Sequence, residues 1–193
     1  MAENKVKFGL CDVHIFPIKD EETLTYDEGF ALPGAVKLSV KPEGKASSFF
    51  ADNYKYWSVS SNQGYSGDVE IALLTNEFKT KILGDIYNEQ TGMLTELADA
   101  IAKPFGMTFR VDGDQTNSII SFYKCTVERP GSEYETKGEE ISPKTDTFAI
   151  TVLPCKIGDQ LVTKSAIQKN ESNASIYNKA LTDIQKPNVT LTA

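Results

Sequence analysis

Histidine is almost absent from this chain of 193 residues, which contains only His14. A single histidine excludes metal sites built on two histidine ligands and leaves one candidate for a histidine base. Cys11-Asp-Val-His14 has the spacing of half a zinc site, yet no second pair of ligands follows it. Because His14 alternates with apolar Val13 and Ile15 in an apparent strand, a structural or surface histidine is the preferred interpretation.

Cysteine is scarce and odd in number, and Cys11, Cys125 and Cys155 lie far apart in the chain. This pattern argues against a disulfide framework and favours reduced, buried thiols over nucleophiles. No Walker A pattern and no Gly-x-Gly-x-x-Gly occurs, so nothing predicts a phosphate cradle. Neighbouring carboxylates such as Glu139-Glu140 fall in predicted loops, where solvation is their expected role. We therefore predict no catalysis, metal or cofactor; a hydrolase that uses an Asp/Glu pair is an alternative.

Basic residues are outnumbered, with 20 Lys and Arg against 27 Asp and Glu and a formal net charge of −7. A protein that grips nucleic acid through its phosphates needs a basic face, so this charge argues against that class. It does not exclude a surface along which DNA passes without adhering. No run approaches the roughly 18 apolar residues of a membrane span, and no signal-peptide pattern is visible. We expect a protein without a membrane anchor that is made in the cytoplasm.

Period-2 alternation of apolar and polar residues is the pattern that the sequence has in abundance. It predicts strands at 6–18, 35–41, 68–73, 105–111, 119–128 and 147–152. In the second of these, Val36, Leu38 and Val40 are expected to point inward, and Leu73 is the last inward residue of the third. Asp112-Gly-Asp114 is a turn signal that would join the 105–111 and 119–128 strands.

Helical patterns are few. One helix is predicted near 76–84, where Thr75 can cap its start and Gly84 lies at its end. A possible C-terminal helix near 175–185 has Ile176 and later apolar residues one turn apart. The chain is therefore predicted to be mainly β, a sandwich or barrel with little helix, and not a βαβ fold.

Aromatic residues are concentrated in one stretch, and the same stretch carries a family resemblance. Its motifs are Phe50-Ala-Asp-Asn53, Asn62-Gln-Gly-Tyr-Ser-Gly-Asp-Val-Glu-Ile-Ala-Leu-Leu74, Glu77-Phe78 and Leu83-Gly84. In this order they resemble the major tail protein, or tail tube protein, of long-tailed bacteriophages of Gram-positive bacteria. Further segments that resemble this family are 4–10, 32–44, 123–130 and 145–152, so the resemblance covers roughly residues 4–155.

The resemblance implies a mainly β (α+β) fold of the tail-tube type, a β-sandwich or split barrel flanked by one helix. Residues 1–155 would form this domain, and 156–193 a C-terminal extension packed on it. The implied function is that of a structural virion protein, not an enzyme, in hexameric rings stacked as the phage tail. Its implied partners are copies of itself, the tape-measure protein, the distal tail protein and the tail terminator, with DNA passing transiently through the channel. For 93–101 the family implies an extended strand, although the apolar spacing also fits a helix.

The connection 42–55 is predicted to be a long loop that lies across a neighbouring subunit, where aromatics contribute most of the contact energy. The residues expected at inter-subunit or ring-stacking contacts are Pro42, Glu43, Phe49, Phe50, Tyr54, Tyr56 and Trp57. The polar strand residues expected to face the lumen are Lys37, Ser39, Lys41, Asp68, Glu70, Lys124, Glu128, Thr147 and Thr151. Three lysines and three acids balance in this set, so it does not by itself predict an acidic bore.

Two alternatives stay open for the aromatic stretch. The rings could fill the subunit's own core, an alternative that is strongest for Trp57. The chain could also be a monomeric β-sandwich module that reads carbohydrate or a cell surface, in which Tyr54, Tyr56, Trp57 and Tyr65 stack on sugars. Oligomeric state separates a self-assembling subunit from such a module.

Overall fold

The computed structural model describes residues 8–113, 117–136 and 144–187. The first strands of this part are β1 (Leu10–Asp20), β2 (Thr25–Tyr26), β3 (Phe30–Ala31), β4 (Ala35–Glu43), β5 (Ala46–Ala51), β6 (Tyr54–Ser60) and β7 (Gly64–Ile71). A helical segment follows, α1 (Asn76–Phe78) and a π-helical turn (Lys79–Leu83). The later elements are β8 (Ile86–Asn88), β9 (Met93–Thr95), β10 (Phe105–Val111), β11 (Ile119–Val127), β12 (Asp146–Val152), β13 (Cys155–Ile157), β14 (Gln160–Val162), β15 (Lys164–Ile167) and α2 (Ala174–Lys179). The prediction of a mainly β chain is confirmed.

Nine of these strands form one antiparallel sheet in the order β2-β1-β10-β11-β12-β7-β4, with β3 added to β1 and β15 added to β11. One edge of β11 serves two neighbours: Cys125 pairs with Val152 of β12, and Ser121 pairs with Ser165 of β15. β1 and β4 are in contact although four strands separate them in the sheet. The sheet therefore curls into a partly closed barrel.

The inner face of the curled sheet encloses the main hydrophobic core. Phe78 of the helical segment is fully buried there, with its ring centroid 5.9 Å from that of Phe105 and 5.1 Å from that of Phe148. Ile15 of β1 and Ile71 of β7 belong to the same cluster, although they come from well-separated strands of the sheet. Burying each such side chain contributes about 1.5–3 kcal/mol, so the helical segment is held on the barrel by its core-facing residues.

The helical segment has the predicted ends. The Thr75 hydroxyl oxygen accepts a hydrogen bond from the Phe78 amide at 3.2 Å, as an N-cap does. Gly84 ends the segment with a φ of 82°, a left-handed conformation that glycine adopts without strain. The π-helical turn between them lets the consecutive residues Ile82 and Leu83 both face the core, where both are buried.

Two strand predictions are wrong in detail. Val36 is exposed because a bulge between Ala35 and Lys37 shifts the alternation, and Ala35 packs on the core in its place. Leu73 is 71% exposed because β7 ends at Ile71, where the chain turns toward the helical segment. The start of the predicted 6–18 strand and Asp114 of the predicted turn lie outside the described residues.

The C-terminal helix is shorter than predicted and buries a different residue. It ends at Lys179, and Tyr177 is buried while Ile176 is exposed. The Tyr177 hydroxyl donates to the carbonyl oxygen of Asn117. The buried side chain therefore has a hydrogen-bond partner for its hydroxyl group as well as packing for its ring. Of the ambiguous 93–101 segment only Met93–Thr95 is a strand, paired with β8, and the rest is irregular.

Residues 84–101, which we call the lobe, leave the barrel after the helical segment and contain the β8–β9 hairpin. The lobe is closed at its base by the Lys103 amide, which donates to the Ile82 carbonyl at 2.8 Å. Arg129, just past β11, fastens it to the barrel by donating to Asp85 at 2.8 Å and lying 3.3 Å from a Glu96 carboxylate oxygen. Asp85 is buried, so the lobe has a defined position on the barrel.

Gly67 provides a test of the β4–β7 pairing. A Cβ at this position would lie 1.8 Å from the carbonyl oxygen of Ser39 and 2.7 Å from Cα of Val40, so the strands would have to separate. We expect Gly67→Ala to lower the free energy of unfolding by about 3 kcal/mol, measured by urea denaturation. Gly131→Ala is the control, because a Cβ there meets nothing within 4 Å. Equal stability of the two variants would contradict this register.

Candidate functional site

The aromatic stretch that was predicted to be a long loop is instead a β-hairpin, formed by β5 and β6. Its two-residue turn is Asp52-Asn53, with φ angles of 51° and 61°. Asp and Asn tolerate this left-handed conformation better than other residues with a side chain, and two such residues make the turn type that matches the strand twist. The loop prediction was wrong because this turn contains no glycine.

The hairpin continues a ladder that begins on the barrel. β4 and β7 pair as far as Glu43 opposite Gly64. Hydrogen bonds from the Gln63 amide to the Glu43 carbonyl at 2.8 Å and from the Ser61 amide to the Lys45 carbonyl at 3.2 Å carry the ladder on to β5 and β6. The chain from β4 to β7 is therefore one two-stranded ribbon, whose far half, residues 44–63, we call the arm.

The side chains of the arm are not part of the hydrophobic core of this chain. No residue of β5 or β6 is buried. The five aromatics predicted at inter-subunit contacts are all more than half exposed, between 52% for Trp57 and 66% for Phe50. The alternative in which these rings fill the core, Trp57 above all, is therefore wrong.

The two faces of the arm differ in character. Phe49 lies opposite Trp57, and on the next rung Ser48 lies opposite Ser58 with 3.3 Å between the hydroxyl oxygens. Since successive residues of a strand point to opposite faces, the aromatic pair and the serine pair are on different sides of the ribbon. Val59 follows two residues after Trp57 and extends the apolar side. The opposite side is mixed, because Phe50, which follows Phe49 directly, and Lys55, which is paired with Phe50, lie there with the serine pair.

The arm is held by the ladder that it continues from β4 and β7 and, among the described residues, by no packing on a further strand. A lone two-stranded hairpin is marginal in water, and the arm has no third strand beside it in the described chain. Burying one of its rings would contribute about 1.5–3 kcal/mol. Contiguous exposed apolar surface of this kind marks interaction sites on soluble proteins.

Pro42 and Glu43, predicted at the same contacts, are the last two residues of β4 and lie at the base of the arm. Pro42 is opposite Tyr65, whose ring stacks on Phe122 with 6.4 Å between centroids. The ammonium group of Lys164 lies 4.4 Å from the centroid of the Tyr65 ring. Tyr65 is therefore engaged within its own chain and is not part of the exposed aromatic surface.

Most of the residues predicted to face a lumen share the solvent-facing side of adjacent strands β4, β7, β12 and β11. Lys37 lies opposite Glu70, and Glu70 lies opposite Thr147 on the next strand. Lys124 stands at the end of this face and is ion-paired with Glu21. The register places on this face Lys37, Ser39, Lys41, Asp68, Glu70, Thr147 and Thr151. Lys124 and Glu128 lie immediately before and after the three β11 residues that pair with β12.

The residues considered for chemistry have structural surroundings. His14 Nδ1 lies 3.0 Å from the carbonyl oxygen of Asp12, a local contact within β1. All three cysteines are free; Cys125 and Cys155 are buried as predicted, whereas Cys11 is only half-buried. Burial raises the pKa of the Cys125 and Cys155 thiols, which disfavours the thiolate that a nucleophile needs.

Neither a metal site, nor a membrane-spanning helix, nor a matching family identifies the function of the described part of the chain. Across the described ranges, no cluster of His, Cys, Asp or Glu side chains is arranged to hold a metal ion. Across the same ranges, no helix has the length and apolar character needed to span a membrane. No protein-family model matches the chain, and no curated protein matches it at a significant level. The arm and the polar outward face are the features that bear on function.

Trp57 is the only tryptophan and therefore reports on the arm alone. Because its side chain is half exposed, we expect iodide to quench its fluorescence in a dilute solution of the folded protein nearly as well as in urea. The control is a Trp57→Phe, Phe122→Trp variant, whose single tryptophan would occupy a buried position and be protected. Equal protection of Trp57 and of the buried tryptophan would contradict an exposed arm.

Proposed function

We propose that this chain is the structural subunit of a phage tail tube, which assembles into rings and stacks of rings through contacts of its arm. The observation that carries the proposal is the arm itself, an ordered hairpin with five exposed aromatic side chains. A protein that stays monomeric and binds no ligand through this surface would gain nothing from it and would be prone to association through it. A subunit that meets copies of itself uses the same side chains as the centre of its contacts.

The fold is consistent with that proposal. A partly closed antiparallel barrel with one flanking helical segment is what the resemblance to tail tube proteins implies. The segments that carry the resemblance include the arm's turn, β7 and the helical segment, which lie next to one another along the chain. In the proposed assembly, six copies form a ring, and the virion tail is the site of the protein. The tape-measure protein, the distal tail protein and the tail terminator are its further partners.

The outward face of β4, β7, β12 and β11 is the proposed lining of the channel. Its lysines lie next to acids or hydroxyls: Lys37 is opposite Glu70, and Lys41 is opposite Ser66. A phosphate that passes such a face meets no cluster of cations that would hold it. The net charge of −7 for the whole chain further disfavours adhesion of DNA.

A monomeric carbohydrate-binding module is the second candidate, and one observation favours it. Tyr54 and Tyr56 are exposed neighbours with 5.9 Å between ring centroids, and exposed rings of this kind can stack on sugars. The two rings are tilted by 49° to each other and do not form one flat platform. Tyr65, the fourth ring of that hypothesis, is packed on its own subunit. The assembly proposal accounts for more of the exposed rings.

The test is to replace the aromatics of β5 in the Phe49→Ser, Phe50→Ser double variant. We expect the wild-type protein to form rings or tubes as its concentration rises, seen by negative-stain electron microscopy and mass photometry. The double variant should stay monomeric with an unchanged circular dichroism spectrum, because both side chains lie outside the core.

The matched control is the Tyr134→Ser, Leu161→Ser double variant, which removes two exposed apolar side chains elsewhere. It should assemble as the wild type does. Assembly of the arm variant at wild-type concentrations would remove the arm from the mechanism. A wild-type protein that is monomeric at every concentration and binds an immobilised glycan would establish the second candidate instead.

A further inference from the structure

The arm and the lobe leave the barrel at opposite ends of the same strands. β7 runs from Gly64, beside the arm, to Ile71 at the far end of the sheet. β11 is antiparallel to β12, so the chain past Val127 runs toward that far end, where Arg129 holds the lobe. A subunit thus presents the arm at one end and the lobe at the other.

The lobe carries a second exposed apolar surface. Its exposed apolar side chains are Ile86, Tyr87, Met93, Leu97 and Ile101, with Ile101 at 88% exposure. The lobe nevertheless has a fixed position on the barrel, because Asp85 is buried and accepts a hydrogen bond from Arg129. An ordered apolar surface that no described residue covers has the character of a docking site.

The two surfaces have complementary charges. The lobe contains four acidic residues, Asp85, Glu89, Glu96 and Asp99, and no lysine or arginine. Arg129 faces two of them, and among the described residues no ion pair involves Glu89 or Asp99. The arm contains Lys45 and Lys55 against one acid, Asp52. Opposite charges on two apolar surfaces favour their contact and set its orientation.

We propose that the arm of one subunit docks on the lobe of a second copy through the side that carries Phe50 and Lys55, with Phe50 on the apolar residues of the lobe and Lys55 near Glu89 or Asp99. This inference rests on the proposed function and identifies the acceptor surface for the arm. Because donor and acceptor are different surfaces at opposite ends, the contact is head-to-tail and leaves a free arm and a free lobe after each addition. Repeated contacts of this kind would build a stack in which every subunit has the same orientation along the axis.

A cleft on the barrel is an alternative acceptor for the arm. A cleft of about 570 Å³ lies beside β4 and is lined by Leu10, Leu38, Val40, Phe109 and Phe122, with Lys164 at its border. Lys164 would lie near the lysines of a docked arm, so charge favours the lobe over this cleft. The cleft is the alternative outcome that the experiment must distinguish.

The first experiment is intermolecular photo-cross-linking from the tip of the arm. Full-length protein with p-benzoylphenylalanine in place of Tyr54 is mixed with wild-type protein labelled with heavy nitrogen, allowed to assemble and irradiated. Mass spectrometry should find the probe attached to heavy peptides from 84–101. Attachment chiefly to heavy peptides that line the cleft, or to any other surface, would overturn the docking site while leaving self-assembly standing. A wild-type protein that forms no assembly at any concentration would overturn the proposed function and the docking site together.

The second experiment reverses charge on each side of the contact. We expect Lys55→Glu to raise the concentration needed for assembly about 3- to 10-fold, since it places an acid against an acidic surface. Combining it with Glu89→Lys and Asp99→Lys should return that concentration to near the wild-type value. Lys156→Glu, a reversal at an exposed site on β13, is the control and should have little effect. Failure of the combined variant to recover would contradict the pairing of these charges, provided that its circular dichroism spectrum shows it folded.

Discussion

The pairing of β4 with β7 is the constraint on which the rest of the molecule depends. Eight residue pairs join these strands, from Ala35 opposite Ile71 to Glu43 opposite Gly64. The inner side of the ribbon supplies Val69 to the core, and the outer side supplies the polar face. The same ladder continues past the barrel to become the arm. Stability and the proposed assembly are therefore coupled: a change that separates β4 from β7 disturbs the core, the polar face and the arm at once.

The arm shows how a fold can keep an interaction surface ordered before the partner arrives. Its backbone is held by the ladder that starts on the barrel, so docking would cost less conformational entropy than ordering a free loop. Its rings are left outside, where each stays available for contact. The lobe uses a different means to the same end, since the ion pair between Arg129 and buried Asp85 fixes it to the barrel. Two preorganised surfaces suit repeated, identical additions of one subunit.

The sequence predicts the elements whose side chains alternate strictly or whose ends are capped. The bounds of β10 agree with the prediction, as do the Thr75 cap and the Gly84 end of the helical segment. Local patterns fail where an extra residue shifts the alternation of inward and outward side chains, as at the bulge before Lys37. They also fail where a tertiary contact decides which residue is buried, as with Tyr177. The arm was missed as a hairpin because Asp52-Asn53 is an uncommon form of its turn. No pattern along one chain reveals that the arm and the lobe lie at opposite ends, because that relation comes from the sheet register.

In the proposed tube, the polar outward face would affect the passage of DNA in a way that net charge alone does not reveal. Lys37 and Glu70 occupy paired positions on neighbouring strands, and adjacent strands are about 4.8 Å apart. That spacing is shorter than the screening length of about 8 Å at physiological salt, so a phosphate that approached this face would experience the two charges together. Their fields largely cancel, and no counterion release would hold the backbone at this point. In the proposed tube, then, low adhesion would come from charges paired across strands, and an acidic lining is not required for DNA to pass.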